Sequence, residues 1–234
     1  MKSIFLTFSR PSPSRRVKDA PTRITHWLMA ICFFVAYITS EGETFRLLHV
    51  TMGYTLFGLV VFRLIYGIVG PRQARIAALW RKAIGLKQWC VLAWTQLSQV
   101  TTPATIQWHQ GRLMLTPALT VLILALTAPI TLSGYLTFNA FGGDLAEDFL
   151  ISVHELFGNA LLFTVLTHLG WLVVSSLITR RNEIAPMWHG VMPGAGPDVA
   201  KHNHLWLAIA VVLGVVGYIT WEWSVSPHGL IRLW

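Results

Sequence analysis

Four histidines lie within long apolar stretches of the sequence: His26, His49, His154 and His168. His154 and His168 are fourteen residues apart, a spacing that advances a helix by about 21 Å and returns it to nearly the same face. His26 begins one apolar stretch and His49 begins the next, so on antiparallel helices they lie at opposite depths. Two imidazoles on facing helices can fill both axial positions of a haem iron. The spacing therefore predicts two bis-histidine haem sites, an inner one with His26 and His168 and an outer one with His49 and His154.

Two glycines repeat the same offset from a histidine. The sequences "HVTMG" and "HELFG" place Gly53 and Gly158 four residues after His49 and His154. One helical turn along, these glycines share the histidine's face, where a missing side chain gives a flat porphyrin room to approach. A glycine that only permits close helix packing is the alternative interpretation.

Three arginines are candidate partners for haem propionates. Arg63 follows His49 by fourteen residues, which places it at the inner haem level on the face that carries His49. A bond to a propionate would offset the cost of burying the guanidinium, whereas snorkelling to the inner surface is the alternative. Arg23, one turn before His26, is a second candidate for the inner haem, and Arg46 is the candidate for the outer haem.

Composition identifies the elements that position these residues. The chain has 234 residues, of which 54% are hydrophobic and only 12% are charged, whereas soluble domains carry about 25% charged residues. This composition is typical of membrane proteins, in which an apolar helix of about 20 residues crosses the bilayer core. Five spans are predicted, roughly at residues 24–40, 48–68, 112–136, 150–178 and 204–223. The two cysteines form no C-x-x-C-H motif, which excludes covalent c-type haem.

The distribution of charge orients the spans. Basic residues cluster before the first span, after the second and after the fourth, and these regions belong in the cytoplasm by the positive-inside rule. The opposite loops carry five acidic residues, Glu41, Glu43, Asp144, Glu147 and Asp148. The N-terminus is therefore predicted inside and the C-terminus outside. The net charge of +8 comes from basic residues that flank the apolar spans, so it indicates membrane topology and not a nucleic-acid-binding surface.

The predicted fold is an all-α membrane protein whose core is a four-helix bundle binding two haems. Its parts are a basic cytoplasmic tail (1–23), the di-haem domain (24–180), a cytoplasmic linker (181–203) and a C-terminal transmembrane helix with a short periplasmic tail (204–234). Within the di-haem domain, residues 73–100 mix basic and apolar residues. They are predicted to form an amphipathic helix on the inner membrane surface, with a re-entrant segment as the alternative.

Three stretches of the chain resemble a known family. "APTRITHW", "LLHVTMGYTLFGLVVFRLIYGIVGPRQAR" and "SVHELFGNALLFTVLTHLGWLVVSSL" are similar to the prokaryotic cytochrome b561 family, which includes the b-type cytochrome subunits of nickel–iron hydrogenases. The resemblance covers about residues 17–185. It implies a four-helix core with two non-covalent b-type haems, whose ligands correspond to His26, His49, His154 and His168. Members of the family pass electrons between a membrane quinone pool and a redox partner.

The sequence thus predicts a di-haem b-type cytochrome of the bacterial inner membrane, in a respiratory chain. The acidic outer face predicts a periplasmic partner with a basic patch, either a c-type cytochrome or an electron-transfer subunit of an oxidoreductase. Quinone is the predicted membrane substrate, and a homodimer is a further candidate assembly. Two alternatives remain open: a proton- or metal-coupled transporter that uses the same histidines, and a haem-free membrane anchor for a partner enzyme.

Overall fold

Helices form almost the whole of the computed structural model, which describes residues 13–41, 43–98 and 108–226. The described elements are β1 (Ser14–Arg16), α1 (Ala20–Ile38), α2 (Arg46–Val69), α3 (Ile76–Ser98), α4 (Trp108–Phe138), α5 (Asp144–Thr179), α6 (Ala185–His189), β2 (Val191–Pro193) and α7 (Leu205–Val225). Parts of the predicted organisation lie outside the described residues. These are positions 1–12 of the basic tail, with Lys2 and Arg10, and positions 227–234 of the C-terminal tail.

Five helices, α1, α2, α4, α5 and α7, are long and apolar enough to cross a membrane. They confirm the five predicted spans. Most helix ends lie beyond the predicted ones, but α1 ends at Ile38, before the predicted residue 40, and α7 begins at Leu205, after the predicted residue 204. At the start of α1 the reason is local, because the Asp19 carboxylate caps the helix by accepting from the Thr22 N–H, and a proline follows in the first turn. Arg23, which the sequence assigned to the tail, therefore lies in the first turn of α1.

The membrane helices associate as two pairs. α1 packs along α2 and α4 packs along α5, while α2 also contacts α4 and α7 packs on α1 and α2. A core of Cys32, Met52, Leu56, Leu59 and Val60 joins α1 to α2, and apolar residues of α7 pack against it. Among the described helices, α5 makes at most sparse backbone contact with α1 or α2. The histidines of α5 therefore face those of α1 and α2 across a separation between helices.

α3 shows that Ile76–Ser98 of the predicted segment 73–100 are helical, with residues 99–100 outside the described part. Its amphipathic character stays a prediction. It packs along much of the first half of α4 in the antiparallel sense. Trp89 packs against Trp108, and the same indole covers Gly111, where an added Cβ would lie 2.6 Å from the ring. The lengthwise packing on α4 was not predicted, and the location of α3 on the inner membrane surface stays a prediction.

The predicted tail and the predicted linker are joined by a short antiparallel sheet that the sequence analysis did not predict. β1 pairs with β2 in the register Ser14↔Pro193, Arg15↔Met192 and Arg16↔Val191. Beyond β1, the Val17 and Lys18 N–H groups both donate to the Gly190 carbonyl. Strands of three residues are too short to show an alternating pattern in the sequence. The sheet and α6 together cover the end of the bundle that carries His26.

Candidate functional site

His49 and His154 face each other between α2 and α5. Their ring centroids are 6.0 Å apart and the ring planes are inclined by 70°. Metal–imidazole bonds are about 2 Å long, so two rings on opposite sides of one metal have centroids roughly 6 Å apart. We call His49 with His154 the outer pair and His26 with His168 the inner pair, after the predicted topology. The separation within the outer pair fits two axial ligands of one iron.

Backbone carbonyls of neighbouring helices hold both rings of the outer pair. His49 Nδ1 lies 2.7 Å from the Ala36 carbonyl of α1, and His154 Nδ1 lies 2.9 Å from the Ile130 carbonyl of α4. A carbonyl oxygen can only accept, so each Nδ1 carries the proton and donates it. In a neutral imidazole this leaves Nε2 with the lone pair that a metal needs. The two neighbouring helices therefore fix the tautomer that can ligate iron.

Gly134 is a site residue that the sequence analysis missed. A Cβ at this position of α4 would lie 2.8 Å from His154 Cε1 and 3.0 Å from Nδ1, so the imidazole packs directly on the glycine backbone. The hydroxyl of Ser133 lies 3.3 Å from the same Nδ1. The signal available in the sequence was a glycine within an apolar helix, which marks a close approach without naming the partner.

The inner pair also comes together, in a different polar environment. His26 of α1 and His168 of α5 are close enough to interact electrostatically. His168 Nδ1 is buried and has no hydrogen-bond partner within the described part of the chain. The equivalent Nδ1 atoms of the outer pair donate to helix carbonyls, so His168 lacks, among the described residues, the bond that fixes the ligating tautomer in the outer pair. The role of the inner pair as haem ligands stays a prediction.

The two glycines that were predicted to lie beside a porphyrin have open space next to their Cα atoms. An added Cβ at Gly53 would meet no described atom within 4 Å, and one at Gly158 would meet only Ile130 Cδ1, at 3.5 Å. Neither glycine is therefore required by close helix packing among the described residues. Their role beside a porphyrin stays a prediction.

Arg63 is buried, with 8% of its surface exposed. Its Nη1 donates to the Ala74 carbonyl at 3.0 Å, in the turn that leads from α2 to α3. The guanidinium has five N–H donors, so this bond leaves capacity for a further acceptor such as a propionate. The bond to Ala74 neither supports nor contradicts a contact with a propionate, which stays a prediction.

Arg23 and Arg46 lie at opposite ends of the bundle, and their predicted contacts with propionates stay predictions. Arg23 Nη1 donates to the Trp188 carbonyl at 3.0 Å, whereas its Nε is buried without a described partner. The same α6 segment accepts a bond from the Trp27 indole, next to His26. Arg46 places its guanidinium carbon 5.8 Å from the ring centroid of Phe138, a cation–π contact at the His49 end.

A buried polar cluster below the inner pair was also missed by the sequence analysis. Asp19 is fully buried, and its carboxylate accepts from the Thr22 N–H, from the Tyr66 hydroxyl at 2.7 Å and from Gln73 at 3.5 Å. Lys18 lies beside it. Burial lowers the pKa of Lys18 below its usual value, the nearby Arg63 guanidinium lowers this pKa further, and Asp19 opposes both effects.

A cavity of about 390 Å³ lies between α2 and α7, with Tyr54, Gly58 and Tyr218 among its lining residues. Each residue turns a helix by about 100°, so Gly58 lies on the face of α2 opposite His49. The cavity therefore faces away from the outer pair and does not belong to that site.

Comparisons with known proteins identify a family that matches most of the chain. A family model described as prokaryotic cytochrome b561 matches residues 17–190. Two curated relatives, both named "Probable Ni/Fe-hydrogenase 1 B-type cytochrome subunit", come from Escherichia coli strain K12 and Escherichia coli O157:H7. Each is 28% identical over 102 residues, which covers 35% of this chain and 43% of the relative. The chain thus matches less than half the length of these relatives, and no solved structure matches it.

The matched region begins before α1, ends after α6 and includes both histidine pairs, whereas α7 lies beyond it. A match of this extent covers well over half of the chain, and it carries the implication of haem b as cofactor. Two pairs of imidazoles on apolar helices are the ligand type that such a non-covalent haem requires. The chain therefore belongs to the prokaryotic cytochrome b561 family.

Proposed function

We propose that this protein is a di-haem b-type cytochrome that transfers electrons across the membrane between the quinone pool and a redox partner protein. The observation that carries the proposal is the outer pair, whose rings are 6.0 Å apart and whose Nδ1 atoms are both tied to helix carbonyls. The inner pair is proposed to hold a second haem because His26 and His168 lie on facing apolar helices and within electrostatic range of each other.

A bound haem b would supply one-electron chemistry at its iron, and His49 with His154 would hold it. The protein residues set the conditions for that chemistry. The helices position His49 and His154 in opposition, and the Ala36 and Ile130 carbonyls raise the basicity of the rings by accepting their Nδ1 protons. The inner pair, His26 with His168, is the proposed second set of ligands.

The remaining predicted site residues are proposed to hold the porphyrins. Gly53 and Gly158 give the rings room beside α2 and α5, a role supported by the space around both positions. Arg63 and Arg23 are proposed to bind propionates of the inner haem, supported by the burial of Arg63 and by the unpartnered Nε of Arg23. Arg46 is proposed to serve the outer haem from the first turn of α2.

Quinone as membrane substrate, a respiratory role and a hydrogenase-like partner rest on family membership and on the names of the relatives. A homodimer remains compatible with the large apolar surface that α5 exposes, which includes Phe163 and Leu177. None of these features is needed for the two haem sites.

Visible spectroscopy tests the proposed function directly. The purified protein is expected to show a b-type band in the dithionite-reduced minus oxidised spectrum. Haem released into pyridine should amount to about two per chain, because there are two ligand pairs. A colourless protein would support the transporter or the haem-free anchor instead. One haem per chain would remove one of the two pairs from the proposal.

The proposed location is the bacterial inner membrane, with the N-terminus in the cytoplasm and the outer pair near the periplasm. The positive-inside distribution of basic residues supports this orientation. At the His49 end, Glu147 and Asp148 are exposed, whereas the side chains of Glu43 and Asp144 lie outside the described part. This acidic surface is the proposed dock for a periplasmic c-type cytochrome or oxidoreductase subunit.

Sealed vesicles can test orientation and docking together. A basic, reduced c-type cytochrome added outside right-side-out vesicles is expected to reduce the protein at a rate that falls roughly tenfold or more with rising salt. Glu147→Gln with Asp148→Asn should slow the low-salt rate and flatten the salt dependence. If the cytochrome reacts only with inside-out vesicles, the orientation is the opposite of the proposed one. If the rate changes neither with salt nor with the substitutions, the acidic surface is not the docking site.

A further inference from the structure

The cavity between α2 and α7 lies apart from the outer pair and has the properties of a ligand site. Its volume of about 390 Å³ falls within the range of about 300–1,000 Å³ that is usual for pockets that bind small molecules. Most of its wall is apolar and includes Leu59, Phe62, Val211 and Val215. Both helices are long and apolar enough to cross a membrane, and α7 lies beyond the residues that match the family. The cavity therefore belongs to the fifth membrane helix of this chain.

Two glycines open the cavity to the outside of the bundle. Gly58 of α2 and Gly214 of α7 both line it, and both are exposed. An added Cβ at either position would meet no described atom within 4 Å. In a membrane the space outside these two helices is lipid, so a molecule dissolved in the bilayer can enter from the side. Because neither backbone carries a side chain there, a flat ring has room between them.

The end of the cavity nearer the start of α2 is aromatic and offers a hydroxyl. Tyr54 of α2 and Tyr218 of α7 line it, and the Tyr54 ring lies 6.2 Å from Tyr135 and 6.4 Å from Phe138 of α4. Tyr218 lies 6.2 Å from the Trp221 ring, and its hydroxyl makes no hydrogen bond within the described part of the chain. A hydroxyl in apolar surroundings is costly without a partner. Tyr218 therefore has a donor available for an acceptor on a ligand.

These properties distinguish between the molecules that a bilayer can supply. A lipid acyl chain fits the apolar wall, but it carries no acceptor for the Tyr218 hydroxyl. A phospholipid headgroup carries an anionic phosphate, and Glu222 lies one turn after Tyr218 on the same face of α7, so its carboxylate would repel that phosphate. A quinone combines a flat apolar ring, two carbonyl acceptors and a tail that stays in lipid.

We propose that the cavity between α2 and α7 binds the ring of an isoprenoid quinone, with a ring carbonyl accepting from the Tyr218 hydroxyl. The tail leaves past Gly58 and Gly214 into the surrounding lipid. This inference rests on the proposed function, in which quinone is the membrane substrate, and it assigns that substrate a place in the fold. It also gives α7 a role, because this helix supplies one wall of the site and the hydrogen-bond donor.

Calorimetric titration with a decyl-substituted benzoquinone tests the site in purified protein held in phosphatidylcholine nanodiscs. After subtraction of the heat measured with empty nanodiscs, the wild type is expected to bind about one quinone per chain. Gly214→Leu fills the space between the two helices and should weaken binding roughly tenfold or more. Tyr218→Phe keeps the ring but removes the donor, so it should weaken binding about fivefold.

Matched variants make the result specific to the cavity. Gly217→Leu changes another exposed glycine of α7 that has open space beside it but does not line the cavity. Tyr37→Phe removes a hydroxyl from an exposed tyrosine of α1. Both controls should bind quinone as the wild type does. Wild-type affinity in Tyr218→Phe or in Gly214→Leu overturns the inference, and if Gly214→Leu loses its haem, Tyr218→Phe decides alone.

Failure of this inference can be distinguished from failure of the proposed function, because haem content is measured on the same samples. A wild type that contains haem but binds no quinone saturably leaves the cavity to lipid and overturns the inference. Saturable binding that neither Gly214→Leu nor Tyr218→Phe weakens places quinone elsewhere and overturns it as well. A wild type without haem refutes the proposed function itself, whatever the titration shows.

Discussion

His49→Ala and His154→Ala are expected to lose the same one of the two haems and to retain the other. The two rings are 6.0 Å apart and belong to one proposed iron site, so removal of either leaves the iron with a single axial ligand. Haem content should fall from about two to about one per chain in both variants. The measurement is the pyridine haemochrome ratio, together with the reduced-minus-oxidised spectrum of the component that remains.

The complementary pair provides the internal comparison. His26→Ala and His168→Ala should lose the other spectral component, and a double variant across the pairs, His26→Ala with His49→Ala, should bind none. His202→Ala is a suitable control, because this histidine is exposed in the linker. Loss of the same component from His49→Ala and His26→Ala would show that the pairing is wrong.

Gly134→Ala is expected to weaken the outer haem selectively. The new Cβ would lie 2.8 Å from His154 Cε1, closer than packed atoms tolerate, so the ring must shift from its position opposite His49. Overpacking of this kind costs about 1–3 kcal/mol, which corresponds to a roughly 5- to 150-fold loss of affinity for the outer haem. The rate of haem transfer to excess apomyoglobin measures the change, and Gly134→Val should increase it further.

Gly58→Ala is the matched control for this prediction. It is also a helical glycine, but an added Cβ there would meet no atom within 4 Å, and it lies on the face of α2 away from His49. Haem transfer from Gly58→Ala should therefore equal that of the wild type. If Gly134→Ala releases its outer haem no faster than Gly58→Ala, His154 does not depend on the close approach to α4.

The membrane helices and the histidine set could be predicted from the sequence because both follow from local rules. An apolar run of sufficient length has one stable conformation in a bilayer, since its backbone polar groups must pair within the segment. Polar residues within such runs are rare, so His49 and His154 stand out without any knowledge of the fold. Helical geometry then places residues fourteen apart on one face, which is how the pairs were predicted.

The surroundings of those histidines could not be predicted in the same way. His154 donates to the Ile130 carbonyl, 24 positions away, and packs on Gly134 of the same helix. His49 donates to the carbonyl of Ala36 on α1. Every residue carries a carbonyl, so no residue type marks the one that a histidine will reach. Which carbonyl lies within hydrogen-bond distance depends on how two helices are rotated and shifted relative to each other.

The polar cluster below the inner pair illustrates the same limit for charged residues. In the sequence, Asp19 is a single acid that follows a basic tail, and no local pattern distinguishes it from a solvated surface residue. Packing brings Asp19, at the start of α1, within hydrogen-bond distance of Tyr66 of α2 and of Gln73 in the turn that follows α2. Local sequence sets which segments become helices and which side chains they offer. Packing between distant segments decides which of those side chains are buried together, because burial and proximity are properties of the assembled chain.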